Sequence, residues 1–228
     1  DETKINIPQD AIFDWGKDDS FTIEYWMKGI PGVTCLGNTT NDNEVIVGRD
    51  DSSTQLHIWT GCQAEGVPTG SRAAFRLMDI NYGGDKIIGT SDITDGEWHH
   101  IVAIRDDDAE MNYLYVDGVK EGEYAHVYTA GFASATAPLN IGWLNSSQGF
   151  HFSGSVDEVA LYARALSQAE ILNHYNSGLG KGYCNLHPSD LALSNQAIDE
   201  NEAVGTPIGT FSTTDSDSTL FTYALVPG

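Results

Sequence analysis

Basic residues are scarce. Only 11 Lys and Arg stand against 33 Asp and Glu in 228 residues, a formal net charge of -22. So acidic a chain repels nucleic acid and anionic membrane surfaces, which removes both from the set of partners. Long apolar runs are also missing: nothing approaches the ~18 consecutive apolar residues of a membrane-spanning helix. No charged segment followed by an apolar one opens the chain, so we expect any secretion signal to have been removed or not included.

Cysteine is limited to Cys35, Cys62 and Cys184, with no C-x-x-C spacing, which argues against a zinc or thiol redox motif. If the protein is secreted, Cys35–Cys62 is the favoured pair, because the two flank one strand-rich segment. Cys184 is then free, paired outside the chain, or a competitor for one of the other two. The signatures of a nucleophile elbow, an HExxH helix and a phosphate-binding glycine loop are absent. So is the E-x-D-x-x-E arrangement that sets alternate carboxylates on one face of a strand for glycoside hydrolysis. The reading is therefore not an enzyme.

What the chain does have is alternation. Hydrophobic residues make up 40% of it, Gly numbers 24, and short period-two segments recur between Gly, Asp and Asn: "TKINIP", "SFTIEYWMKG", "NEVIVGRD", "QLHIWTG", "AAFRLMDI", "KIIGTS", "WHHIVAIR", "MNYLYVDG", "PLNIGW" and "GSVDEVALY". Many such strands in series predict an all-β, two-sheet antiparallel sandwich or jelly roll. One segment, "LSQAEILNHYNSG", reads as a short helix. Ser167 and Glu170 form a capping box, Gly178 supplies the left-handed end, and Ile171, Leu172 and Tyr175 form its apolar stripe. We expect a jelly-roll domain over 1–184, a linker over 185–190 and a β-rich segment over 191–228, which is too short to bury a sandwich core alone.

"GEWHHIVAIRDDD" looks like a site, yet its histidines are neighbours on a strand. His99 and His100 must point to opposite faces and cannot grip one ion. Trp26 is expected in the core if its strand is central to the two-sheet stack, and Asp106 to Asp108 at a hairpin tip. The acid surplus itself makes cations the natural counterpart, above all calcium (Ca2+), which takes ~6–8 oxygen ligands. Two glycosylation sequons, "NTT" at Asn38 and "NSS" at Asn145, fall in polar, turn-like stretches.

Taken in order, "SFTIEYWMKG", "DGEWHHIVAIRDDDAEMNYLYVDGV", "APLNIGW" and "FSGSVDEVALYARALSQAEILNHYNSG" resemble the laminin-G-like, concanavalin A-like jelly-roll family of extracellular modules. The family usually opens with a strand of the type "ALSFDG". Here the chain starts at "DE", which means a strand cut away or a sheet edge left for another segment to cover. The resemblance implies a core place for Trp98 and a calcium ligand at Asp157, the start of the closing strand. It also implies rim loops that bind a glycan or a surface protein, with Trp143, Asn145, Gln148 and Trp59 as candidate contacts. The tail "IDENEAVGTPIGTFSTTDSDS" resembles the start of a bacterial cadherin-like repeat, which implies calcium ligands at Glu200, Asp215 and Asp217. The function expected from these resemblances is a secreted or cell-surface module for adhesion or glycan binding. The alternatives are a subunit of a surface assembly, self-associating through its tail or edge strand, and a carbohydrate-active enzyme.

Overall fold

Strand β2 (Phe21–Gly29) shows how this sequence makes a sandwich. Phe21, Ile23, Tyr25 and Met27 alternate with Thr22, Glu24 and Trp26, so one face of the strand is wholly apolar. That face packs inward against Leu56, Ile58, Phe75 and Leu77 from the opposite sheet. The computed structural model describes residues 4–35, 43–64, 70–146, 149–180, 190–193 and 210–214, and the chain divides into two compact units, 1–181 and 182–228.

The first unit is two antiparallel sheets. One contains β1 (Ile5–Ile7), β10 (Leu139–Ile141), β3 (Asn43–Asp51), β4 (Leu56–Gln63), β5 (Arg72–Met78) and β6 (Gly84–Ile88), in that spatial order. The other runs β11 (Gly154–Tyr162), β2, β7 (Trp98–Asp106), β8 (Met111–Val116) and β9 (Val119–Ala125). Every quoted sequence segment forms a strand. The one strand without a sequence expectation is β9, "VKEGEYA", which lies at a sheet edge and is largely exposed, so it lacks an apolar face to announce it. In the second unit β12 (Asp190–Leu193) pairs antiparallel with β13 (Phe211–Thr214).

Two cross-links tie the sheets together. Cys35, in the segment leaving β2, and Cys62 on β4 form a disulfide. The Tyr25 hydroxyl lies 3.0 Å from Thr60 Oγ1, and burial is the main influence raising its pKa. Buried Arg49 is the other large polar device. Its guanidinium donates to the carbonyls of Ala137, Phe13, Phe132 and Ser134 and to Asp14 Oδ1.

The outer face of the five-stranded sheet is closed by helix α1 (Gln168–Tyr175). Its capping box is present as expected, with the Ser167 hydroxyl and the Glu170 carboxylate each bonded to the other's backbone N–H. Arg164 and these cap bonds hold Glu170 down at about 2. Two expectations need correction. The left-handed C-cap is Asn176, and Gly178 ends a following 3-10 turn instead. Leu172 faces solvent, while Ile171 packs on Val102, Ile104 and Tyr115. The residue completing the inward stripe with Tyr175 is His174, whose Nδ1 reaches the buried Glu24 carboxylate.

The two central histidines behave as strand geometry requires. His100 points out of the sandwich, with Nε2 2.7 Å from Glu24 Oε1 beneath α1. His99 faces the other way, between Asp117 (2.8 Å) and Asp95 (3.1 Å). Burial lowers the pKa of His99, but the bonds and charges of Asp117 and Asp95 outweigh it and the net shift is upward. A folded pKa above the unfolded one makes protonated His99 stabilising below pH ~6.5, and this is lost as pH rises through the folded value. His99→Gln should therefore destabilise more at about pH 5.5 than at about pH 8.5, read by urea unfolding. An equal loss at both would mean the imidazolium does not matter.

Candidate functional site

The six-stranded sheet carries the site on its outer face. Strand alternation sends His57 and Trp59 of β4, Arg76 and Met78 of β5 and Asp50 of β3 to that side, because their neighbours Ile58, Leu56, Phe75 and Leu77 fill the core. Part of the face is covered: Leu144 and Phe150 pack on Val45, Trp59 and Ala74, over a floor where a Cβ on Gly48 would come within 2.6 Å of Leu144. Beside that cover lies a cleft of about 280 Å³ lined by Asp50, His57, Arg76, Met78, Gln55 and Tyr82, among others. The volume falls just below the usual range of ligand sites, ~300–1,000 Å³.

Its polar wall is a directed chain. Trp59 Nε1 donates to His57 Nε2 at 2.9 Å, and an indole N–H can only donate. In this arrangement Nε2 is the acceptor, so the imidazole proton sits on Nδ1 and is donated to Asp50 Oδ1 at 2.5 Å. Asp50 Oδ2 has no hydrogen-bond partner among the described residues and is left as an acceptor. The next carboxylate, Asp51, belongs to the interior: the hydroxyls of Ser134 and Ser53 bond it and hold its pKa well below the usual range.

The rim aromatic is equally well placed. Tyr82 is 64% exposed and has φ +61, a left-handed conformation that costs a bulky residue energy unless its surroundings impose it. Asp79 imposes it. Its buried carboxylate accepts the N–H groups of Asn81 (2.9 Å) and Gly83 (2.7 Å) on one oxygen, and those of Thr129 (3.2 Å) and Ala130 (3.0 Å) on the other.

Several of the residues expected to make contact lie elsewhere. Trp59 is 3% exposed, with its ring in the small cluster under Leu144. It cannot stack on a ligand, and it acts only through His57. Trp143 is half-buried and tied to the start of the chain: its indole N–H donates to the Ile5 carbonyl (3.1 Å), Lys4 lies over the ring and His151 stacks parallel to it. The side-chain amide of Asn145 is a staple, accepting from the Asp50 N–H at 3.0 Å and donating to the Asp50 carbonyl at 2.6 Å. It serves to position Asp50, with both amide atoms engaged. Trp98, expected in the core, is 41% exposed, on the end of β7 opposite Lys28. Gln148, Asn38, Cys184, Glu200, Asp215 and Asp217 lie outside the described residues.

The described side chains offer no calcium cage. Asp157 is exposed, and its Oδ1 accepts the N–H of Glu158 in a β-bulge. Among the described residues the one group of three that could hold a metal ion is Cys35, Glu44 and Cys62, and both of its sulfurs are consumed by the disulfide.

His57, Arg76 and Tyr82 were missed by sequence reading, and "GRDDSS" suggested Asp50 and Asp51 only as a possible oxygen cluster or, more simply, a hairpin turn. A signal existed: "HIW" and "FRLM" each place two non-core residues on the outward side of a strand. What was invisible was that neighbouring strands bring them to one end of the sheet.

The chain belongs to the concanavalin A-like lectin/glucanases superfamily, whose laminin-G-type family model matches residues 2–172. No curated protein matches it. Among solved structures it is similar to the binding domain of Paraclostridial Mosquitocidal Protein 1, with TM-score 0.57, 17% identity, and coverage of 77% of this chain and 41% of that one. It is also similar to a heptameric SAP-like pentraxin from Limulus polyphemus (TM-score 0.53, 14% identity, 74% and 72% covered). A third is the CBM40 of Ruminococcus gnavus IT-sialidase bound to alpha2,3 sialyllactose (TM-score 0.54, 12% identity, 72% and 84% covered). The chain spans about two-fifths of the first structure's length. At these identities the likeness concerns the fold.

Proposed function

We propose that residues 1–181 form a non-catalytic glycan-binding module of a secreted or cell-surface protein, and that the cleft on the six-stranded sheet is its binding site. The observation that carries this reading is the cleft's construction. A preorganised exposed aromatic, Tyr82, stands at the rim beside the Asp50 acceptor, held from below by His57 and Trp59. Sugars are recognised by this combination, a flat apolar surface for a ring face and fixed polar groups for hydroxyls. The family supports the reading, and so does the solved CBM40 with its bound sialyllactose. An extracellular setting fits the disulfide, which persists in oxidising compartments. No helix among the described residues is long and apolar enough to cross a membrane.

The test is a glycan array followed by calorimetry on the best ligand. Tyr82→Asn keeps a side chain tolerant of positive φ and should weaken binding about 30-fold or more, the loss typical of a central contact residue. Melting should be unchanged. Wild-type affinity in the Tyr82→Asn variant would place the ligand elsewhere, and an array with no bound glycan would refute the function itself.

A further inference from the structure

The structure assigns a ligand class to this cleft: we propose that it takes a glycan carrying an anionic group, a carboxylate or a sulfate, with Arg76 as the residue that selects for it. The inference rests on the glycan-binding reading and adds the charge of the ligand to it.

The observation is the state of Arg76. The chain has five arginines among an excess of acids, and carboxylates are abundant enough that an arginine without one is unusual. Arg49, Arg105 and Arg164 pair with Asp14, Asp107 and Glu170, and Arg72 donates to the Thr90 carbonyl. Arg76 alone has no oxygen partner among the described residues. Its Nε and one terminal nitrogen lie 3.1 and 3.0 Å from the thioether sulfur of Met78, a weak acceptor. Arg76 is half-buried and lines the cleft. A planar guanidinium matches a carboxylate or sulfate through two parallel hydrogen bonds, stronger than those to a neutral oxygen. Met78 holds the fork in place without satisfying it.

Position agrees with this role. Arg76 pairs with Trp59, and Asp50 with His57 on the next outward row two strands away. Strand spacing of ~4.8 Å and rise of ~3.4 Å put their Cα atoms about 12 Å apart. Both side chains stand on the outer face and line the one cleft. Asp50 Oδ2 can then accept a hydroxyl while Arg76 takes the acidic substituent. The same Asp50 charge disfavours a ligand whose anionic group lies at the Asp50 end, so the cleft reads orientation as well as charge. The net charge that repels an extended polyanion or an anionic surface acts less on a single acidic group beside Arg76, because the field of distant charges is screened beyond ~8 Å at physiological ionic strength.

The experiment uses the full chain and an array of matched pairs: carboxylated sugars with their methyl esters, and sulfated sugars with their desulfated parents. One charged member should bind about 10- to 100-fold tighter than its neutral partner, the worth of a charge-assisted contact. Whether the ester pair or the sulfate pair shows it tells carboxylate from sulfate. Arg76→Gln should remove the difference between the charged ligand and its neutral partner, with Arg76→Lys in between. Equal affinity within every pair would overturn the charge assignment and leave the glycan-binding reading standing. Binding to no member of any pair would overturn both. The wild-type comparison needs no variant, so a misfolded Arg76→Gln protein would not rescue the proposal.

Discussion

Replacing Arg49 with Met is expected to lower the free energy of unfolding by about 3–5 kcal/mol and the melting temperature by about 10 °C. Methionine refills much of the volume with an adaptable apolar chain, so packing is not the main loss. The polar network is. Arg49 is 0% exposed, and its guanidinium bonds to Phe13 O (2.5 Å), Asp14 Oδ1 (2.7 Å), Ala137 O (3.1 Å), Phe132 O (3.2 Å) and Ser134 O (3.2 Å). Without it, buried carbonyls from two separate loops lose their donor, at a cost of about 1–3 kcal/mol each where water cannot enter. Urea unfolding followed by tryptophan fluorescence measures the change, and a loss below about 1 kcal/mol would show that water replaces the guanidinium. Ligand affinity should fall too, since the next residue in β3 is Asp50.

Removing the disulfide should cost about as much and act differently. With Cys35 and Cys62 separated by 27 positions, loop-closure entropy in the unfolded chain predicts a loss of about 3.5 kcal/mol for the double Cys→Ala variant. Cys62 lies at the far end of β4 from His57, so the cleft is remote from the link. We therefore expect glycan affinity in native buffer to be unchanged while the unfolding midpoint drops. Wild-type protein with a thiol reductant gives the same comparison without mutation. Coupled losses of affinity and stability would mean that the segment after β2 also supports the outer face.

The fold was legible because burial leaves a period in the sequence. Phe21, Ile23, Tyr25 and Met27 declare an inward face by themselves, and Ser167 with Glu170 declares a helix start. The candidate site was not legible, since it is assembled by which strands lie side by side. Asp50, His57 and Arg76 come from three strands, and no spacing along the chain encodes their register. Tryptophan misled for a related reason. Trp59 and Trp143 sit in polar-looking surroundings in sequence, yet a loop lies over the first and the first strand anchors the second. Tyr82 escaped notice because "NYGG" reads as an ordinary turn, and only the Asp79 carboxylate makes it a fixed platform.

That carboxylate bears on how freely residue 82 can vary. The turn carrying residue 82 is held by the backbone N–H groups that Asp79 gathers, with further bonds from Ile80 N–H to the Gly131 carbonyl and from the Asn81 amide to Thr129, none of which uses the Tyr82 side chain. Substitutions at 82 thus leave the scaffold's geometry intact, and an Asn, His or Gly there suits the left-handed backbone better than tyrosine does. Selection, in nature or in a library randomised at this one codon, is free to try new contact surfaces without risking the fold.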